Sequence, residues 1–335
     1  MSHFTVLIIG DDPEKQLEPY SEHLEVAPTD QGIVPNEELA RFFEHYKEKY
    51  PKKTNFMMVV GTELLADENV VTLEKMYKKH GREWNGNTWR KHTDGTWHEY
   101  STYNPNSKWD WYSIGGRWSG FFKLKPGGEG KIGELEVMAE KVTDKTLADQ
   151  LLKKDIDFEL MFKEAEEKAN KEFDRAEELF KDTPQHKSWA QIISEHEAEE
   201  KAGKKYEHED WRRFRIEEYE TQERVKLADE ISKALLRNKE RSKKELTEEE
   251  QFTLSVCRDV DEYIGSREEY VEKCKFNAVS TFALMVDGVW HESGKMGWFG
   301  MSHDDMDPKK WREFFLKTIN EAPDDALFTV VDCHI

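Results

Sequence analysis

The spacing of hydrophobic residues changes several times along the chain. Phe4 to Ile9 is a continuous apolar run closed by Gly10-Asp11-Asp12-Pro13, which predicts a buried strand followed by a turn. Residues 14–35 show no sustained periodicity. Asn36, followed by Glu37 and Glu38 and then Leu39, Phe42, Phe43 and Tyr46, predicts a capped amphipathic helix ended by Pro51. Asn55 to Val60 reads as a second apolar strand, and Val70 to His80 as a short helix stopped at Gly81. From Trp84 to Leu124 aromatic and polar residues mix with Gly, Asn and Asp. The Asp94-Gly95 pair between Trp89 and Trp97 predicts hairpins there.

Past the boundary Pro126-Gly127-Gly128-Glu129-Gly130 the apolar residues recur three or four apart in a background of Glu, Lys, Ala and Arg, which predicts helices. One stripe runs Phe158, Phe162, Ala165, Ala169, Phe173, Ala176, Phe180 and breaks at Thr183-Pro184. Another, Phe252, Val256, Val260, Tyr263, opens on the capping box Thr247 to Glu250. The stripes are narrow, as in antiparallel hairpins or coiled coils, and the charged stretch 201–241 is expected to project into solvent or to meet another subunit. Strand patterning returns at Ala278 to Val286, turns at Asp287-Gly288 and continues through Val289 to Glu292. Asp307-Pro308 opens a helix carrying Trp311, Phe314, Phe315 and Ile319, and the final strand, Ala326 to Val331, is followed by Asp332-Cys333-His334-Ile335. Strands at both ends need partners. The expected fold is therefore α+β: a mainly antiparallel sheet domain built from residues 1–130 and 277–335, interrupted over 131–276 by a long charged helical insertion of hairpin or coiled-coil type.

Charge and cysteine content narrow the function classes. A formal charge of −20 repels phosphate polyanions at long range, so nucleic acid is not an expected partner. The three cysteines, Cys257, Cys274 and Cys333, provide no disulfide framework, which suits a reducing cytosol. The first apolar run is too short for a signal peptide core or a membrane span, so a cytoplasmic protein without a membrane partner is expected.

The most unusual segment is Lys108 to Gly120. Trp109, Trp111, Tyr112 and Trp118 surround the pair Gly115-Gly116, which could bring backbone close to a ligand while Arg117 pairs with a phosphate or carboxylate and the rings stack on a base. The structural alternative is a strand with buried aromatics and a glycine bulge, with Arg117 stacked on a ring. A second aromatic-glycine segment, Gly294 to Gly300 with Trp298, could lie beside it but lacks the strand and helix context of a dinucleotide loop, and no GxxxxGK[ST] occurs. His303, Asp304, Asp305, Asp307, Asp332, Cys333 and His334 do not match zinc spacings, and no nucleophile elbow is present. Neither catalytic residues, nor a metal, nor a cofactor is assigned. The expected class leans away from an enzyme.

Five blocks, MSHFTVLIIGDDPEKQLEPY, KWDWYSIGGRWSG, DIDFELMFKEAEEKA, SREEYVEKCKFNAVSTFALMVDGVWHESGKMGWFG and DDALFTVVDCHI, resemble a family of proteins encoded widely in tailed bacteriophages. The resemblance covers both ends and the edges of the insertion, but not residues 184–246. It implies a phage accessory protein acting in the host cytoplasm and transfers no catalytic residue. The expected function is then non-enzymatic binding, and perturbation, of a host protein such as an antiviral defence complex, with the helical arm as docking surface and as a means of homo-oligomerisation. The alternative, carried by nine of the eleven tryptophans lying outside the insertion and by Arg117, is nucleotide or small-ligand binding by the sheet domain, sequestering or enzymatic.

Overall fold

The structure is a computed structural model and describes residues 3–34, 70–72, 88–133, 142–296, 302–304 and 307–335. The helix expected from Asn36 and the strand expected at Asn55 to Val60 lie outside these residues. Among them the strands are β1 (His3–Ile9), β2 (Thr29–Ile33), β3 (Val70–Thr72), β4 (Thr88–Lys91), β5 (Trp97–Ser101), β6 (Trp111–Ile114), β7 (Phe122–Lys123), β8 (Gly130–Lys131), β9 (Leu147–Ala148), β10 (Gln150–Leu152), β11 (Ala283–Val286), β12 (Val289–Glu292), β13 (Gly294–Met296), β14 (Ser302–Asp304) and β15 (Leu327–His334). The α-helices are α1 (Pro13–Leu17), α2 (Phe158–Phe180), α3 (Trp189–Lys201), α4 (His208–Phe214), α5 (Glu223–Ser242), α6 (Glu248–Arg258), α7 (Arg267–Asn277) and α8 (Pro308–Glu321).

Both chain ends meet in one sheet of seven strands, ordered β12-β11-β1-β15-β10-β8, with β6 also on β15. Every pairing is antiparallel except β1 with β11. Central position explains the apolar run Val6 to Ile9 of β1, because both faces must be buried. Phe4, Val6 and Ile8 pack on one side with Leu17, Met285, Val331 and Cys333, whereas Leu7 and Ile9 pack on the other with Phe328, Val330, Phe315 and Ile319. Helix α8 covers this second face, its N-terminus capped by the Asp307 carboxylate, which accepts from the Lys309 and Lys310 N–H groups. The β11–β12 turn places Asp287 at φ 51° and Gly288 at φ 74°, the two positive values that a two-residue hairpin turn requires.

Three sequence expectations are corrected. Val70 to Thr72, the start of the expected helix, are β-branched and form β3, paired with β4 in a second, four-stranded sheet with β5 and β2, while the rest of that expected helix, residues 73–80, lies outside the described residues. The helical segment does not begin at 131 either. Residues 130–152 contribute β8 and β10 to the main sheet and β9 to a short pair with β7, and the first long helix starts at Phe158 behind the Asp157 cap. The last strand is also longer than its apolar run, since Asp332, Cys333 and His334 continue the pairing with β1 and β6.

Helix α2, about 34 Å long at 1.5 Å per residue, joins two hydrophobic cores. Phe158, Met161 and Phe162 pack against the sheet, and Phe173, Ala176 and Phe180 pack with Val256, Cys257, Val260 and Tyr263. A separate small core gathers Ile192, Phe214, Tyr219 and Val225 with Trp189, Tyr206 and Trp211. The Asp261 carboxylate ties these helical cores together, accepting from the Tyr219 hydroxyl (2.7 Å) and the Trp189 N–H (2.8 Å) and pairing with His186 Nε2 at 2.9 Å. Burial works against its ionisation, but the hydrogen bonds from His186, Tyr219 and Trp189 prevail and hold its pKa below the ordinary value. A depressed native pKa gives stability that is present above the unfolded value of about 3.9 and lost as pH falls through the lower native one. Tryptophan emission from Trp189 and Trp211 should therefore report loosening of the small core below about pH 4. In Asp261→Asn the small core should already be loosened at pH 7, and this acid step should be missing. Superimposable acid titrations of the two proteins would contradict the role assigned to Asp261.

Candidate functional site

Strand alternation along β6 puts Trp111 and Tyr112 on opposite faces. Tyr112 and Trp109 belong to the core with Phe4 and Cys333. The two rings meet edge to face at 5.0 Å, and the Trp109 indole N–H donates to the Leu17 carbonyl. Burial, with smaller contributions from Glu14, Cys333 and Asp12, raises the Tyr112 phenol above its ordinary pKa. Burial, followed by Asp332 and Asp110, raises the Cys333 thiol well above its ordinary pKa, which disfavours the reactive thiolate. Trp109 and Tyr112 are thus structural, a correction to their place in the expected site. Trp298 lies outside the described residues.

The other face brings Trp111 and Ser113 of β6 beside His334 and Asp332 of β15 and His3 of β1, through the pairs Trp111 with His334 and Ser113 with Asp332, and His3 with His334. The Trp111 indole stacks on the His334 ring at 5.0 Å and 13°, and His3 meets both rings edge-on at 5.2 and 4.9 Å. Each imidazole is held through Nδ1 by a carboxylate: His3 by Asp332 at 2.8 Å and His334 by Asp110 at 2.7 Å. With Nδ1 donating, the Nε2 lone pair of each neutral ring is left as the acceptor. Ser113 Oγ is buried here without a hydrogen-bond partner among the described residues.

The glycine pair follows from the topology. Strand β15 receives β6 along Val331 to His334 and β10 along Leu327 to Thr329 on the same edge, and the exchange occurs at Val330, whose carbonyl accepts from Gly115 N–H while its own N–H donates to Asp149. The chain must leave the sheet abruptly, and Gly115 (φ 71°) and Gly116 (φ 51°) do so between two buried carboxylates. A Cβ on Gly115 would overlap the Asp149 carboxylate, and one on Gly116 would sit 2.6 Å from Asp332 Oδ2 and from Ser113 Oγ. Asp149 is fully buried and accepts from Ser119 Oγ (2.9 Å) and from the N–H groups of Gly120 (2.6 Å), Phe121 (3.3 Å) and Gly133 (2.9 Å).

Arg117 begins the short turn after the pair. Its backbone N–H donates to Asp332 Oδ2 at 3.0 Å, while its exposed guanidinium neither stacks on a ring nor pairs with a carboxylate among the described residues. Trp118 beside it is also exposed. The structure therefore keeps Trp111, Gly115, Gly116, Arg117 and Trp118 together and adds His3 and Asp110, which the sequence reading did not single out, and Asp332 and His334, which it weighed only as metal ligands. The signal available was the alternation of Val331 and Cys333 with Asp332 and His334, which extends the last strand by three residues.

Compared with known proteins, the chain matches no family model, no curated protein and no solved structure. No described helix is long and apolar enough to cross a membrane.

Proposed function

We propose that the protein binds a small anionic ligand, of the phosphate- or carboxylate-bearing class that includes nucleotides, on the polar end of the main sheet. The observation that carries this reading is the Arg117 guanidinium, exposed and unpaired among the described residues, on a residue anchored through its own N–H to the carboxylate that orients His3. A surface cation without a carboxylate partner among the described residues, in a chain with 70 Asp and Glu against 50 Lys and Arg, is placed to meet an external anion. The overall charge does not oppose this for a small ligand, since exposed charges beyond about 8 Å are screened at physiological salt. Trp111 and Trp118 offer ring faces for a base or sugar. Titrating tryptophan fluorescence with a panel of nucleotides, cyclic dinucleotides and dicarboxylates tests the reading. Arg117→Ala should weaken the responding ligand about 10- to 100-fold, the equivalent of losing one charge-assisted hydrogen bond. A spectrum unresponsive across the panel ends the proposal.

A second reading is favoured by the helical layer. There a groove of about 500 Å³ is lined by Phe173, Phe180, Tyr263, Arg224 and Arg267. Such a groove suits an anchoring side chain of a partner, and with the phage resemblance it supports a factor that docks a host protein through its helical arm. Capture from infected cells by the full chain is its test. An arm that retains no host protein in stoichiometric amount excludes it.

A further inference from the structure

A second cluster of side chains lies on the four-stranded sheet. Because β4 pairs with β5 in the register Arg90 with His98 and Lys91 with Trp97, His92 just past the end of β4 falls on the same face as His98. Their rings stack in parallel, with centroids 3.8 Å apart and 8° between planes. Strand β2 shifts register between Asp30 and Gly32, and such a bulge re-aims a side chain. Here it brings Asp30 Oδ2 to 2.9 Å from His98 Nδ1, while Oδ1 is fixed by the Gly32 N–H at 2.8 Å. The Tyr100 hydroxyl bridges the group, 3.1 Å from His92 Nε2 and 3.5 Å from Asp30 Oδ2. One ligand atom from each of Asp30, His92 and His98 lies within 4.8 Å of the others.

We propose that Asp30, His92 and His98 bind a divalent transition-metal cation of the zinc type at a three-ligand, solvent-facing site. Two imidazoles and a carboxylate form a donor set that such borderline cations take, and three protein ligands leave a position for water. In a tetrahedral site with ligand bonds of 2.0–2.1 Å, neighbouring donor atoms stand about 3.3 Å apart. The Asp30 to His98 separation is close to one such edge. Parallel rings cannot both aim a lone pair at one ion, so binding turns the imidazoles about their Cβ–Cγ bonds and breaks the stack. All three side chains are at least partly exposed, which gives the rings room to turn. Tyr100 then stands beside the ligands, where its hydroxyl can orient the carboxylate. As a hydrogen-bonded pair alone, an exposed His98–Asp30 contact contributes little. A bound ion would instead clamp β2 to the β4–β5 hairpin, joining segments 62 and 68 residues apart in sequence, and would stabilise the small sheet in proportion to its occupancy.

The test uses the untagged full chain, stripped with chelator and titrated with Zn(II) by calorimetry and with Co(II) by visible absorption. One ion per chain and the intense d–d bands of four-coordinate Co(II) are expected. His98→Ala and His92→Ala should each weaken binding by more than about tenfold, the lower end of what loss of even an outer partner costs. Asp30→Cys should keep the site and add a sulfur-to-cobalt charge-transfer band in the near ultraviolet, a readout that holds even if a histidine variant folds poorly. The proposal is overturned by a wild-type chain that binds neither ion, by unchanged affinity in His98→Ala, or by an Asp30→Cys spectrum without the thiolate band.

Discussion

Asp149→Ala is expected to cost the fold about 4 kcal/mol or more, because each buried donor left without an acceptor costs roughly 1–3 kcal/mol. Three backbone N–H groups, of Gly120, Phe121 and Gly133, and the Ser119 hydroxyl converge on this one fully buried carboxylate. The backbone donors cannot rotate away, and they come from two separate places in the chain, Gly120 with Phe121 and Gly133, so one side-chain rearrangement does not satisfy them all. Asp149→Asn should recover part of the loss. Its amide oxygen can still accept from Gly120 and Phe121, whereas its NH2 group faces the Gly133 N–H and offers it nothing. Urea unfolding followed by circular dichroism gives the comparison. Against a typical total of about 5–15 kcal/mol, the alanine variant should be marginal at 25 °C. A loss below about 1 kcal/mol would mean that water replaces the carboxylate, and that the departure of β6 from the sheet does not depend on it.

The contrast between Asp149 and β1 explains what the sequence made legible. Phe4 to Ile9, the Asp287-Gly288 turn, the Asp307-Pro308 helix start and the α2 stripe are local signals: periodicity, turn residues and caps act within a few positions, and the structure has an element at each. The joining of both chain ends into one sheet followed from strands that needed partners. What stayed hidden is long-range. Nothing near Asp149 in the sequence marks it as the acceptor for a loop 30 residues earlier, and His3 and Asp332, in contact at 2.8 Å, are 329 residues apart. Polar residues at a strand end read as a tail until the neighbouring strands are known. The same limit split the aromatic block: Trp109 and Tyr112 are indistinguishable from Trp111 by type, and only the alternation of β6, for Tyr112, and the contact of Trp109 with the Leu17 carbonyl send them into the core while Trp111 faces the polar end.

Gly116→Ala should disturb both fold and site. The residue holds φ at 51°, where a side chain costs about 1–2 kcal/mol, and an added Cβ would press on Asp332 Oδ2 and Ser113 Oγ at 2.6 Å. Asp332 cannot yield freely, since it is fixed by His3 and by the Arg117 N–H within the buried strand pairing. A total near 3 kcal/mol is expected, at the upper end for strain stored at one position. The more telling outcome is functional. If Asp332 shifts, His3 loses its orienting carboxylate and the Arg117 backbone loses its anchor, so anion affinity should fall about as far as in Arg117→Ala although the guanidinium is intact. Gly127→Ala supplies the comparison, because Gly127 also holds a positive φ, 80°, but an added Cβ there meets nothing within 4 Å. That variant should carry the backbone cost alone and bind normally. Equal losses of affinity in the two alanine variants would show that backbone strain, rather than the Gly116 to Asp332 contact, governs the site, and the coupling between Arg117 and the paired histidine would have to be given up.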